Sequence, residues 1–449
     1  MRKYFGTDGM RGRANADPIT PDVMQRLGMA AGKALMQSER RHLVLIGKDT
    51  RLSGYMLQFS LTSGFVAAGV DVLSVGPLPT PAIAMLTTSM RADMGVMITA
   101  SHNPYYDNGV KLFNADGYKL DDAFEFEIEA LMDGARADLR ADADDMGQVN
   151  VYDGAVGRYM EAVKRTFPKD LTLSDLRIVV DCANGAAYRA GPEAFWELGA
   201  DVIAHGVNPD GYNINDNCGS MHPERLSELV REHEADMGVA FDGDADRVVL
   251  VDEKGDIIDG DQILACIATN MRNDEELKGG AAVSTVMANF ALEAYLNGEG
   301  LDLHRTQVGD RYVVEHMLAN GLNLGGEQSG HVILADHATT GDGIVAALQV
   351  MARVVRSDKP ASEVCRLFEP TPQILENVRF EGDNPMGSDK VKSVIAATEE
   401  DLGDKGRVLV RKSGTEPLIR IMAEAETEDA AKNAVARMRE AVEQEIAAG

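Results

Sequence analysis

The sequence predicts an α/β protein, with three related α/β units with mixed sheets followed by a smaller C-terminal α+β domain. Three observations predict it. Helix-period and strand-like runs alternate from residue 20 onward. The pentapeptide Ala-Asp-Met-Gly-Val occurs at 92–96 and again at 235–239, in similar surroundings each time. The pattern then changes after Pro370 and Pro372. At 449 residues the chain is too long for one core, and about 150 residues per domain gives about three domains, with two or four also compatible.

Thr20-Pro21 opens the first helix, with Thr as N-cap, Pro at the first position, and Val23, Met24, Leu27, Ala31, Ala34 and Leu35 on one stripe. A short apolar strand at 43–46, a helix at 56–68 and a strand at 70–75 ending at Gly76-Pro77 complete a βαβ-like unit. Each copy of the repeated pentapeptide leads through a strand into a polar loop, TASHNP in the first and DGDADR in the second. The segments 67–76 and 197–206 echo each other, and a more diverged third copy runs through 300–305 and 322–325 into GEQSGH. The acidic, Ala-rich stretch 121–153 reads as a surface helix and linker. Beyond Pro372 the expected order is strand 374–380, helix 390–399, strands 407–411 and 418–423, then an amphipathic helix capped by Thr427. The expected domains are therefore 1–152, 153–255, 256–369 and 370–449.

Acidic residues outnumber basic ones by 72 to 44, for a net charge of −28. Such a surface repels phosphate backbones and anionic lipid, so no nucleic-acid or membrane partner is expected, and an anionic ligand needs a local basic pocket. The four cysteines are too far apart in sequence for a CxxC pair, which argues against a disulfide framework or zinc ribbon. The N-terminal segment has no apolar run of the signal-peptide kind, and a cytoplasmic protein is expected.

Four loops carry candidate chemistry. Asp242, Asp244 and Asp246 alternate after a strand, and carboxylates so placed repel one another unless a hard divalent cation lies between them. Glu253 stands at the twelfth position counted from Asp242, as in an EF-hand, but the sixth position is Arg247 instead of Gly and strands flank the loop. Mg²⁺ shared with a phosphate fits better, and a merely solvated acidic turn is the plain alternative. Ser101, with His102, Asn103 and Pro104 behind it, has the composition of an ordinary turn. As a nucleophile it needs a base or cation, and Lys111 is near enough in sequence to carry a proton if neighbouring cations and burial lower its pKa. An ordinary surface lysine is the alternative. Arg411 to Arg420 (RKSGTEPLIR) joins two strands through hydroxyls and backbone amides with an arginine at each end, the parts of a phosphate cradle. In GGEQSGH, Glu327 and Ser329 suit sugar hydroxyls and His331 suits acid–base work near neutral pH.

Taken in this order, the four loops resemble those of the α-D-phosphohexomutase superfamily over nearly the whole chain. YFGTDGMRG at 4–12, VVDCANGAAY from Val179 and TQVGDRYVVE from Thr306 are most similar to its glucosamine-phosphate branch. The resemblance implies four domains around a central cleft, with a mobile fourth. It implies a phosphoryl group carried on Ser101, and one Mg²⁺ held by Ser101, Asp242, Asp244 and Asp246. Glu327 and Ser329 would grip the sugar, and Arg411, Ser413, Gly414, Thr415 and Arg420 the non-reacting phosphate. Arg11 and Arg247 would neutralise charge, and Lys111 and His331 would transfer protons. The implied reaction converts glucosamine 6-phosphate to glucosamine 1-phosphate through a 1,6-bisphosphate, in amino-sugar and peptidoglycan precursor synthesis. Glucosamine or glucose 1,6-bisphosphate would be the activator, and a homodimer is compatible with the family. Ala245 stands where the family usually has Gly, and Thr99 and Lys412 where it often has Ser and Pro; Ala disfavours a positive φ.

A phosphomannomutase or phosphoglucomutase is the nearest alternative, because nothing in GEQSGH reads the C2 amine directly. A non-catalytic metal- or sugar-binding relative would have no need of Ser101, and a phosphatase would release inorganic phosphate. The charge yields a prediction: added salt screens the repulsion between a −28 protein and a dianionic sugar phosphate. kcat/KM should rise modestly from the lowest ionic strength upward, and a monotonic fall would contradict this.

Overall fold

The computed structural model describes residues 3–6, 8–36, 40–381, 384–412 and 417–448. Two compact units emerge, Met1–Thr285 with His304–Arg366, and Val286–Leu303 with Leu367–Gly449.

The first unit is built on three sheets. The first contains β1 (Met10–Arg13), β2 (Leu43–Lys48), β3 (Asp71–Pro77), β4 (Met94–Ile98), β5 (Asp107–Asn114) and β6 (Val149–Val151), in the order β1-β5-β4-β2-β3-β6. The second contains β7 (Arg177–Asp181), β8 (Asp201–His205), β9 (Met237–Phe241), β10 (Val248–Asp252) and β11 (Ile257–Ile258), in the order β11-β10-β9-β7-β8. The third contains β12 (Ala281–Thr285), β13 (Asp302–Thr306), β14 (Leu324–Gly326) and β15 (Val332–Leu334), in the order β13-β12-β14-β15.

One motif recurs in all three. A central strand (β2, β7 or β12) pairs in parallel with β4, β9 or β14, and each of these pairs antiparallel with the strand that follows it, β5, β10 or β15. The two copies of the pentapeptide run into β4 and β9, and the diverged third copy into β14. Central strands covered on both faces read as continuous apolar runs, and β4 and β9 are buried at every residue.

The first helix spans Pro21–Leu35. Thr20 holds the N-cap position, but its hydroxyl donates to Asp22 Oδ1 at 2.8 Å instead of capping the helix. The helix buries Gly28 as well as its apolar stripe, because a Cβ at Gly28 would lie 2.5 Å from Leu61 O on the helix Ser53–Ala67. The stretch 121–153 is more than a linker: after the helix Asp122–Asp133 it supplies β6, which extends the first sheet in parallel beside β3. Three exposed residues, Val-Asn-Val, gave no periodic signal. β1 was likewise too short to anticipate, and it pairs antiparallel with β5. The four cysteines are buried and form no disulfide.

The second unit carries β16 (Gln373–Arg379), β17 (Gly406–Lys412) and β18 (Leu418–Ala425), antiparallel in the order β16-β18-β17. Helices Asp389–Leu402 and Glu428–Ala448 cover it around Val378, Ile419, Ile421, Val435 and Val442. Thr427 Oγ1 accepts from Ala430 N at 3.2 Å, the expected cap. The helix Phe290–Gly298 belongs here too. Asn289 exchanges two hydrogen bonds with the Thr371 backbone at 3.0 and 2.9 Å, and Phe290 N donates to Glu424 Oε1 at 3.2 Å. Among the described residues, no helix is long and apolar enough to cross a membrane.

Candidate active site

The repeated motif places three loops at equivalent positions, where the parallel strand hands over to its antiparallel neighbour. Between β4 and β5 lies the Ser101 loop, between β9 and β10 the aspartate loop, and between β14 and β15 the loop of Glu327, Ser329 and His331. Ligands of α/β sheets collect outside the carboxyl ends of the strands, and all three loops leave such ends.

Ser101 and the three aspartates meet. Ligand atoms of Asp242, Asp244 and Asp246 lie within 4.8 Å of one another, and all three residues are buried. Ser101 Oγ donates to Asp242 Oδ2 at 2.5 Å and lies 3.3 Å from His102 Nδ1. Gly243 allows this approach, since a Cβ there would sit 2.5 Å from Ser101 O. β9 and β10 flank the aspartate loop and Glu253 bonds the Ser362 backbone N–H at 3.0 Å, so no EF-hand forms.

Lys111, from β5, is buried and donates to Asp244 Oδ2 and Asp246 Oδ2, each at 2.9 Å. The expectation of a lowered pKa is reversed. Burial opposes the charge, but Asp244, Asp246 and Asp8 outweigh it and hold the ammonium well above the usual lysine range. One ammonium does not balance three carboxylates. Burial and the charges of Asp244 and Asp246 push Asp242 well up, whereas Asp246 is held well down, against burial, by Lys111 and His331. Asp244 Oδ1 and Asp246 Oδ1 are buried without a hydrogen-bond partner, the state of oxygens that a hard cation would take up.

His331 lies 3.6 Å from Asp246 Oδ1 through Nδ1 and 3.5 Å from Asp310 Oδ2 through Nε2. Gly341 N donates to Nε2 at 3.1 Å, which places the proton of the neutral ring on Nδ1, toward Asp246. Burial works against protonation of this ring, but Asp246, Asp310 and Glu327 raise its pKa. Arg11 pairs with Asp8, and Lys119 bridges Asp8 and Asp310. Arg247 Nε lies 3.9 Å from Asp246 Oδ1. Glu327 accepts from Gly309 N at 3.3 Å, and Ser329 is exposed on the same turn.

In the second unit, Arg411 and Arg420 stand directly opposite each other on β17 and β18. Like charges so placed repel; burial and then Arg420 lower the Arg411 pKa. Among the described residues no ion pair neutralises these two arginines, an arrangement suited to an anion. Ser413, Gly414 and Thr415 lie outside the described residues.

Comparison with known proteins agrees with this geometry. Models of the phosphoglucomutase/phosphomannomutase alpha/beta/alpha domains I, II and III match residues 2–138, 157–255 and 259–371, and that of the C-terminal domain matches 375–441. A phosphoglucosamine mutase of Chelativorans sp. (strain BNC1) is 56% identical over 98% of both chains. That of Bradyrhizobium diazoefficiens is 58% identical over 95% of both.

The chain belongs to the phosphoglucosamine mutase family.

Among solved structures, a phosphoglucomutase/phosphomannomutase family protein from Burkholderia thailandensis has a TM-score of 0.83 at 24% identity, covering 98% of this chain and 97% of that one. The N-acetylphosphoglucosamine mutase of Aspergillus fumigatus, solved with GlcNAc-6P and magnesium, has a TM-score of 0.66 at 18% identity, covering 99% and 96%. Both show the shared fold.

In this phosphoglucosamine mutase family member, further residues that the loop motifs did not single out contact the same cluster. Thr80 Oγ1 donates to Asp244 Oδ2 at 2.5 Å and Thr80 N to Asp244 O at 2.9 Å. Asp8, Lys119 and Asp310 continue the charge network, and Arg51 is wholly buried beneath the Ser101 loop. Asp8 and Asp310 lie inside quoted motifs, FGTDG and VGDRY; Thr80 and Arg51 carried no such label.

Ala245 adopts φ +55° within the aspartate loop and is buried. A left-handed L-residue costs about 1–2 kcal/mol, but Ala245→Gly would also lose about 0.8 kcal/mol of methyl burial and gain chain entropy on unfolding. Ala245→Gly should therefore change stability by less than about 1 kcal/mol, whereas β-branched Ala245→Val should lose more than about 2 kcal/mol. Thermal midpoints of the two variants check this, and equal midpoints would contradict it.

Proposed function

We propose that the protein interconverts glucosamine 6-phosphate and glucosamine 1-phosphate through phospho-Ser101. The observation that carries this reading is the 2.5 Å contact between Ser101 Oγ and Asp242 inside a buried aspartate triad. A hydroxyl that donates to one member of a buried carboxylate triad is suitably placed for a phosphoryl carrier beside a divalent cation. Phospho-Ser101 gives its PO₃ to the C1 hydroxyl, forming the 1,6-bisphosphate and a free serine. The bisphosphate then returns its C6 phosphoryl group to Ser101 Oγ and leaves as the 1-phosphate.

Asp242, Asp244, Asp246 and the Ser101 phosphoryl group would hold Mg²⁺, and the orphaned Oδ1 atoms of Asp244 and Asp246 fit that role. When bound, Mg²⁺ supplies charge neutralisation at the transferring group. Arg11, Arg247 and Lys111 add fixed positive charge around it. To take and return the proton of the sugar hydroxyl, His331 must release Nε2 from the Gly341 amide that donates to it, while Nδ1 keeps its proton toward Asp246. Glu327 and Ser329 offer an acceptor and a hydroxyl to the sugar, and the Arg411–Arg420 pair suits the phosphate that is not reacting. A hexose 1,6-bisphosphate serves as activator by phosphorylating free Ser101.

Turnover tests the reading. kcat/KM should favour glucosamine phosphates over glucose and mannose phosphates, and Ser101→Ala should lose about 10³-fold or more. A preference for mannose 1-phosphate would move the protein to the phosphomannomutase reading, and an active Ser101→Ala would end the proposed mechanism.

A homodimer is the second part of the proposal. The helix Ser53–Ala67 contains no charged residue, although the chain carries −28. Leu52, Tyr55 and Phe59 are exposed along it, and Phe59 is 69% exposed. The nearby Tyr105 and Tyr212 rings meet edge-on at 5.4 Å and are also exposed. Two copies of an anionic chain can approach over an uncharged apolar face with least repulsion. Sedimentation equilibrium should give the mass of two chains for the wild type and of one for Phe59→Asp; a monomeric wild type would contradict it.

A further inference from the structure

Ser101 presents its side chain to the aspartates from a backbone held at φ +51°. That conformation is unfavourable for a serine, so something in the surroundings must impose it. The contacts beneath the loop show what does.

Asp49 and Arg51, at the carboxyl end of β2, are both wholly buried and pair with each other, Arg51 Nε to Asp49 Oδ2 at 2.8 Å. Arg51 Nη2 donates to Ser101 O and to Asn103 O, each at 2.8 Å, and Nη1 donates to Asp107 O at 3.1 Å and to Pro104 O. One guanidinium therefore binds four carbonyls of a single loop. Asp49 Oδ2 also accepts from Thr99 Oγ1 at 2.8 Å, and Thr99 Oγ1 accepts from Ser101 N at 2.9 Å. The two backbone groups of Ser101 thus end on the same ion pair, the carbonyl directly and the amide through one hydroxyl. Asn215 Nδ2 adds a second donor to Ser101 O at 2.9 Å and to Asn103 O at 3.0 Å.

We propose that the buried Asp49–Arg51 pair is the positioning device of phosphoryl transfer, clamping the Ser101 peptide at both ends so that Oγ points at the aspartate triad. The inference rests on Ser101 as the phosphoryl carrier, and it goes beyond that reading by assigning roles to residues remote from the reacting atoms. The planar fork suits this work: it offers five donors in fixed directions, where lysine offers a single rotating ammonium. Thr99 fits as well. Its hydroxyl performs the bridging, so a serine in its place would serve and an isosteric valine would not.

The test follows the rate at which dephosphorylated enzyme takes up a phosphoryl group on Ser101 from saturating glucose 1,6-bisphosphate, read by intact mass, beside KM for the sugar phosphate and the thermal midpoint. Misplacing a reacting atom by about 1 Å costs about 100-fold, so Arg51→Lys should slow Ser101 phosphorylation by about 30- to 100-fold while KM changes by less than about threefold. Thr99→Val should slow it by about tenfold, and Thr99→Ser should stay within about twofold of the wild type. The Thr99 pair decides the matter if Arg51→Lys does not fold, because Thr99→Val keeps the buried volume without the hydroxyl and Thr99→Ser keeps the hydroxyl with the loss of one buried methyl. Phosphorylation of folded Arg51→Lys within threefold of the wild type would overturn the proposal, as would equal rates for Thr99→Val and Thr99→Ser. Failure of the wild type itself to acquire phosphate at Ser101 would instead overturn the carrier assignment.

Discussion

Three carboxylates packed within 4.8 Å of one another out of reach of water create a charge imbalance that the surrounding chain is arranged to offset. Lys111 comes from β5, Thr80 from the helix Thr80–Ser89, Ser101 from the β4–β5 loop and His331 from the β14–β15 loop. Each contributes a proton or a positive charge to the same cluster. An unpaired buried charge costs about 3–5 kcal/mol, more than the about 1–2 kcal/mol of a left-handed alanine or serine. The chain accepts backbone strain at Ala245 and Ser101 because the alternative is to aim a carboxylate or a hydroxyl wrongly.

The repeated sheet motif makes this convergence economical. One topological position, the step from a parallel strand to its antiparallel neighbour, carries in turn the Ser101 loop, the aspartate loop and the loop of Glu327, Ser329 and His331. Most residues at that step differ, so the duplicated architecture is a frame and the chemistry lies in what each loop substitutes.

Much of this was legible in the residues. The paired pentapeptides marked β4 and β9, and alternating aspartates marked the buried carboxylate triad, because like charges at that spacing need a compensating partner. The C-terminal order of strands and helices also followed from periodicity and caps, with Thr427 as an example. What escaped was non-local. Three-residue β6 has no periodicity to read, and Thr80 and Arg51 act on segments 164 and about 50 residues away in the chain. Lys111 was found as a residue but misjudged in its electrostatics, since proximity to Asp244 and Asp246 reverses the effect of burial. Arginine in a short polar turn gives no hint that it will bind four carbonyls.

The membership of residues 286–303 in the C-terminal unit has a practical corollary. The chain passes between the two units at 285/286, 303/304 and 366/367, so no single cut separates them. A fragment beginning at residue 370 would lack Asn289, which pins Thr371, and Phe290, which engages the Glu424 carboxylate. The complementary fragment would keep the helix Phe290–Gly298 with those partners removed. Excising the C-terminal sheet as an autonomous module therefore requires grafting an internal excursion of the chain back onto it, and limited proteolysis at 366/367 alone would leave residues 286–303 on the other fragment.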